Sequence, residues 1–186
     1  RIRIARLYGA NVTPIDLNYY MENADRLQGV EKAATFVAIR MKQCSDLQQN
    51  DPSNWWANQL CNDDNARAHR EFTGTEIVDQ MGGNIDGWVA SVGTGGTLLG
   101  VAQTLKKECP ELKVAGVVPT DDPRIEWVRS RTIHKALENL GVPNLRFLIE
   151  DLLESNVMDT ETTIENADAK NMADRLCREE GLYCGM

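Results

Sequence analysis

The chain has 186 residues, 42% of them hydrophobic and 26% charged, with 28 acidic against 20 basic side chains and a net charge of −8. That length is enough for one domain or a little more around a real buried core. The absence of a basic run argues against a nucleic-acid partner, and no apolar run approaches the roughly 20 residues of a membrane span.

The first residues, Arg1-Ile2-Arg3-Ile4-Ala5-Arg6, lack the apolar stretch of a secretory leader and read as a helix feeding a strand. Gly9–Ile15 reads as a turn into a short strand. Residues 22–44 carry Ala33, Phe36, Val37 and Met41 at helical spacing, and the polar stretch Ser45–Asn54, with Asp51-Pro52-Ser53, reads as a loop. The chain turns apolar at Trp55-Trp56 and polar again at Asn62-Asp63-Asp64-Asn65. A helix is expected over Ala66–Gln80 despite Gly74, with Gly82-Gly83 leading to a strand that ends at Val89-Ala90-Ser91-Val92.

After a glycine-rich turn, Leu98, Val101, Ala102 and Leu105 mark one face of a helix that Cys109-Pro110 ends. Lys113–Val118 reads as a buried strand, and residues 121–145 as an extended loop and a helix ending near Gly141-Val142-Pro143. A last helix is expected from about Asn166, with Ala169, Met172, Ala173, Leu176 and Cys177 inward, Gly181 as its terminating glycine, and a strand over Leu182–Cys184. Strands alternating with helical crossovers imply an α/β fold with a mostly parallel sheet covered by helices.

The segment that carries chemistry is Gly93-Thr94-Gly95-Gly96-Thr97. A strand runs into three glycines and the turn opens a helix. The glycines let the backbone turn tightly and approach a ligand, and the helix start offers unpaired N–H groups at its positive dipole end. Thr94 and Thr97 add hydroxyl donors. The turn is built for an anion, most often a phosphate.

Gly93-Thr94-Gly95-Gly96-Thr97 resembles the phosphate cradle of fold-type II pyridoxal-phosphate enzymes, and the resemblance extends beyond that turn. Gln59-Leu60-Cys61-Asn62 and His69-Arg70-Glu71-Phe72-Thr73-Gly74-Thr75-Glu76-Ile77 are similar to the Gln-Phe-x-Asn and His-Tyr-x-Thr-Thr-Gly-Pro-Glu-Ile stretches of the cysteine synthase and cystathionine β-synthase family. Arg178-Glu179-Glu180-Gly181-Leu182, followed by Gly185, resembles the stretch before that family's Ser-Ser-Gly motif. The order and spacing agree across nearly the whole chain.

The resemblance implies the fold-type II architecture of pyridoxal-phosphate enzymes, like that of the tryptophan synthase β chain. Residues 1–54 would then belong to a smaller mobile domain and residues 55–186 to the larger cofactor-binding domain. It implies pyridoxal 5'-phosphate as cofactor, its phosphate held by Gly93, Thr94, Gly95, Gly96 and Thr97, with Gln59 near the substrate carboxylate. The family's lysine that holds the cofactor, its Ser/Thr-Gly-Asn-Thr loop and its serine facing the pyridine nitrogen align outside the chain. It therefore reads as an internal piece truncated at both ends, with no catalytic residue of its own and no metal site.

The implied reaction is β-replacement on an O-activated serine with sulfide, giving cysteine. A cysteine desulfhydrase and a cystathionine β-synthase use the same scaffold. A non-catalytic ligand- or partner-binding homologue is the reading of another class. The family's glycine-rich Gly-Ile-Gly segment aligns near Ala136–Gly141, which has lost most of its glycines. A homodimer acting on a small amino acid is expected, and Trp55, Trp56 or the face near Trp127 offers interface area. Five scattered cysteines (44, 61, 109, 177 and 184) without a CxxC pair, beside two histidines, read as reduced thiols in the cytoplasm rather than a zinc site. His69 and His134 read as packing histidines, Cys61 and Cys184 as buried structural thiols, and Lys106 and Lys107 as helix-end cations.

Overall fold

The computed structural model describes residues 2–14, 27–142 and 145–184. In chain order its elements are helices α1 (Ile2–Leu7) and α2 (Gly29–Asn50), then α3 (Asp63–Ala68), a single π turn (His69–Thr73) and α4 (Gly74–Met81). Strand β1 (Gly87–Ser91), helix α5 (Gly96–Glu108) and strand β2 (Lys113–Pro119) follow. The last part holds α6 (Arg124–Arg129), α7 (Thr132–Asn139), α8 (Leu148–Glu154), β3 (Thr160–Ile164) and α9 (Asn166–Glu180).

The three strands form one parallel sheet in the order β1-β2-β3, with Ala90 opposite Gly116 and Gly116 opposite Glu161. Parallel neighbours need crossovers, and α5 supplies the first. Its Leu98, Val101, Ala102 and Leu105 are fully buried against Val92 and Val114. Each large apolar side chain so buried contributes about 1.5–3 kcal/mol. Gly116 makes the contact tight: a Cβ there would lie 3.0 Å from Val92 and 3.2 Å from Leu98.

Among the described residues, only one face of the sheet is covered in this way. Val114, Gly116 and Val118 are buried, whereas Ala115, Val117 and Pro119 are half-exposed and Val89 of β1 is exposed. The period-2 alternation marks a strand with one open face, not the doubly buried strand that its apolar run suggests. Helix α9 departs further from expectation. None of its residues is buried, and Ala169, Met172 and Cys177 of the expected inner face lie exposed.

The boundaries differ in instructive places. The expected loop Ser45–Asn54 is helical as far as Asn50, because Lys42 pairs with Asp46 and Gln49 bonds Ser45 one turn back. Pro52 then bars continuation. The expected strand Leu182–Cys184 forms no ladder; Gly181 takes φ 70° and the Leu182 N–H returns to the Leu176 carbonyl, closing the helix instead. Glu165, not Asn166, is the residue before that helix, and the Asn166 amide donates to Asp121 at 2.6 Å. Residues 10–14 are irregular rather than a strand, while Ile15, residues 22–26, Pro143, Gly185 and Met186 lie outside the described residues. Strand β3 and helix α8 complete the frame without having been read from the sequence.

Candidate functional site

The glycine turn closes β1 and starts α5. The Val92 N–H still bonds the Val117 carbonyl at 2.8 Å, and the Leu99 N–H already bonds Gly95 at 2.9 Å. Between them, among the described residues, the amides of Gly93, Thr94, Gly95 and Thr97 have no hydrogen-bond acceptor, and Gly96 N–H reaches only the Thr94 hydroxyl at 3.4 Å. Free donors fanned over one turn suit an anion.

The glycines are there for space as well as for conformation. Gly95 takes φ 92°, which a side chain resists. A Cβ on Gly96 would meet the Asn65 side chain, 2.6 Å from its Cγ. Asn65 uses that closeness: its amide donates to the Gln59 carbonyl at 2.8 Å and to the Thr94 hydroxyl oxygen at 3.1 Å. With its oxygen accepting from Asn65 and Gly96, Thr94 keeps its own proton free to donate. A Cβ on Gly93 would lie 3.0 Å from an Arg124 guanidinium nitrogen, so that cation closes over the turn from the start of α6. Arg124 is itself paired with Asp122 at 2.8 Å.

Gln59 and Thr94 line one cavity of about 630 Å³, together with Leu60, Arg40, Arg124 and Trp127. Trp127 is buried, and its indole N–H has no acceptor among the described residues. No lysine lines this cavity among the described residues. Asp121 and Asp122 line the same cavity as Arg40 and Arg124, Asp122 bound to Arg124 and Asp121 to Asn166. The anion-accepting part of the wall is therefore the free amides of the turn, and a hollow of this size beside them fits a phosphorylated ring compound. A second cleft of about 620 Å³, lined by Arg67, Arg70, Arg146, Asp151 and Glu154, has its charges spent internally: Arg146 bonds Asp151 and Glu154 at 2.6 Å, and Arg70 bonds Gln103.

Of the residues singled out in the sequence, Thr94 and Gln59 meet at the cavity, and Gly95 and Gly96 are buried beneath it. Thr97 is exposed and turns its hydroxyl to His69 Nε2 at 3.0 Å. His69 is therefore attached to the glycine turn, a link that its sequence neighbours Arg67, Arg70 and Glu71 disguise. His134 is buried, its ring edge-on to Phe147, with Nε2 3.3 Å from Glu150. Burial, and next the Glu150 charge, push the Cys61 thiol up to about 12, so Cys61 is no nucleophile. Cys184 is exposed, contrary to its reading as a buried thiol. Among the described residues no cluster of three or more His, Cys, Asp or Glu side chains is placed to hold a metal ion.

Residues 1–186 match the family model described as "Pyridoxal-phosphate dependent enzyme". The chain is 29% identical to cysteine synthase B of Campylobacter jejuni over all of its length and 54% of that protein's. It is 34% identical to cystathionine beta-synthase of Apis mellifera, over 75% of this chain and 27% of that one. Among solved structures, an O-acetylserine dependent cystathionine beta-synthase from Helicobacter pylori superposes with a TM-score of 0.61 at 26% identity, over 78% of this chain and 45% of that one. The chain thus spans about half or less of the length of these relatives. With the family model matched from the first residue to the last, on a parallel α/β frame shared with solved fold-type II enzymes, the chain belongs to the pyridoxal-phosphate dependent enzymes.

Proposed function

We propose that this chain carries the phosphate cradle and part of the substrate wall of an enzyme performing β-replacement on an O-activated serine with sulfide, giving cysteine. The observation that carries the reading is the turn Gly93–Thr97, whose unpaired amides open beside a cavity that Gln59 and Thr94 share. Pyridoxal 5'-phosphate, when bound, supplies the electron sink that labilises the bonds at the substrate's α- and β-carbons.

The chain's own residues bind and orient. The amides of Gly93–Thr97 and the Thr94 hydroxyl hold the phosphate, charge-assisted bonds that each contribute about 1.5–3 kcal/mol. Asn65 keeps Thr94 aimed by occupying its oxygen. Arg124 adds positive charge beside Gly93, partly offset by Asp122. The exposed Gln59 amide offers two donors to a substrate carboxylate, and the backbone tie from its carbonyl to Asn65 links that residue to the cradle. Trp127 and Leu60 supply apolar wall, which keeps water from the reacting carbon. In this reading the lysine that holds the cofactor comes from the rest of the protein, and the active unit is a homodimer.

A second activity has a specific observation behind it, since the relatives include proteins named cystathionine beta-synthase. Both activities share the first half-reaction and differ in the nucleophile that follows. The test uses the full-length protein with added pyridoxal phosphate. An absorbance band that shifts on adding O-acetylserine supports β-replacement, and product analysis with sulfide against homocysteine separates the two activities. A band that ignores the amino acid would overturn both and leave a binding protein.

A further inference from the structure

The His69 ring joins two hydroxyls, with Nδ1 3.1 Å from Thr73 Oγ1 and Nε2 3.0 Å from Thr97 Oγ1. A neutral imidazole carries one N–H, so the two bonds are locked in direction. In one direction Thr97 gives its proton to Nε2 and the Nδ1–H is given to Thr73. Thr97 then turns only lone pairs outward. In the other, Thr73 donates to Nδ1, the Nε2–H is given to the Thr97 oxygen, and the Thr97 proton is left for an acceptor beside the glycine turn. An anion at that turn tolerates only the second direction, because lone pairs facing it repel.

We infer that His69 is a positioning residue, holding the Thr97 hydroxyl as a donor to an anion bound at the glycine turn through its Nε2–H tautomer. This assignment rests on the reading of that turn as the cradle of the cofactor phosphate. The backbone around His69 is shaped for the contact. Gly74 N–H returns to the His69 carbonyl five residues back, which makes the π turn, and such turns cluster at functional positions. On α5, a Cβ at Gly100 would collide with the Ala66 carbonyl and lie 2.8 Å from His69 Cβ. The missing side chain lets His69 come down beside the first turn of α5, and the Thr104 hydroxyl, donating to the Arg70 carbonyl at 2.6 Å, fastens the segment there. Thr73 is half-buried at the end of the π turn, so a hydroxyl stands behind Nδ1.

The experiment uses the full-length protein at about pH 8.5, well above the ordinary histidine value of about 6.5. Long-range proton–nitrogen correlation spectra read the tautomer of each histidine, and the signal lost in His69→Gln identifies His69. With pyridoxal phosphate bound, the proton is expected on Nε2. Thr73→Val is expected to raise the apparent Kd for pyridoxal phosphate about twofold to tenfold, the range of one neutral hydrogen bond. Pyridoxal, which has the ring but no phosphate, is expected to bind both proteins alike, and Thr73→Ser to bind the cofactor as the parent does. A proton on Nδ1 in the loaded protein would overturn the assignment. So would unchanged cofactor binding in Thr73→Val when Thr97→Val weakens it. Thr97→Val leaving the preference for pyridoxal phosphate over pyridoxal intact would instead sink the role of Thr97 in the cradle, and this assignment with it.

Discussion

Asp159 accepts the backbone N–H of Val114 at 2.7 Å and with the same oxygen takes the Lys106 ammonium at 2.9 Å. One carboxylate thereby ties the segment leading into β3 to the central strand β2 and to the last turn of α5. The Lys106 bond, then the Val114 bond, hold its carboxyl below the usual carboxylate range. A lowered folded value means that the stabilisation is complete above the ordinary value of about 3.9 and is lost as pH falls through the lowered one. Asp159→Asn in the full-length protein is expected to lower Tm at neutral pH, and the gap to the parent is expected to close in melts taken towards about pH 2. A gap of constant size across that range would show that the charge is not responsible.

Gly100 is a second point at which the frame has no slack. Its missing Cβ is occupied by backbone, the Ala66 carbonyl, which cannot rotate away. Gly100→Ala is expected to cost about 3 kcal/mol, the upper end for overpacking because the obstacle is backbone, read as a lower denaturant midpoint with the slope unchanged. Gly141→Ala is the control, since that glycine has φ 70° and open space around it. Its cost is conformational alone, about 1 kcal/mol. Equal effects would refute the close approach of α3 and α5.

In the proposed cradle, Asn65 acts through its bonds to Gln59 and Thr94. Asn65→Ala removes the bonds to Gln59 and Thr94 together, and Asn65→Asp puts a negative charge beside the turn. Cofactor affinity, followed by absorbance titration, is expected to fall about tenfold in the first and further in the second. A rank order with Asn65→Asp at or above the parent would mean that no anion binds there.

The cysteines offer a test by chemistry. With the Cys61 thiol pushed up to about 12 by burial and by Glu150, roughly one molecule in ten thousand holds its thiolate at pH 8. Cys177 and Cys184 are exposed. Brief alkylation followed by peptide mass mapping is expected to label the exposed pair first and leave Cys61 unmodified until the fold opens. Early labelling at Cys61 would contradict its packing against α8.

The sequence made the glycine turn, its strand and its helix legible because each is set by neighbours in the chain: apolar spacing at Leu98, Val101, Ala102 and Leu105, and glycines where φ turns positive. Gln59 and Thr94 were both in view, and the cavity joins them. What escaped is what depends on distant partners. Thr160–Ile164 reads as a polar segment, and it is a strand because β2 offers it an edge to pair with. Asn65 looks like one more polar residue of a turn until Gly96 is seen to leave room for its side chain. The expected inner face of α9 has the right period, but none of its residues is buried: Ala169 only borders a hollow that it shares with Val117 and Pro119 of β2. Periodicity states which face is apolar and is silent on what covers it.

The π turn at His69–Thr73 gives this stretch a place where the chain can hold one residue more than a straight helix without losing phase. The Gly74 N–H reaches the His69 carbonyl five residues back, in the angular place that a four-residue return takes in an α-helix. Removing one residue from within the turn would let α3 run straight into α4, with Gly74 still against Thr104 on α5. The same deletion inside α4 would swing every later residue of that helix by about 100°. The turn is thus the one point of the α3–α4 segment at which the count can change while the faces on either side keep their partners.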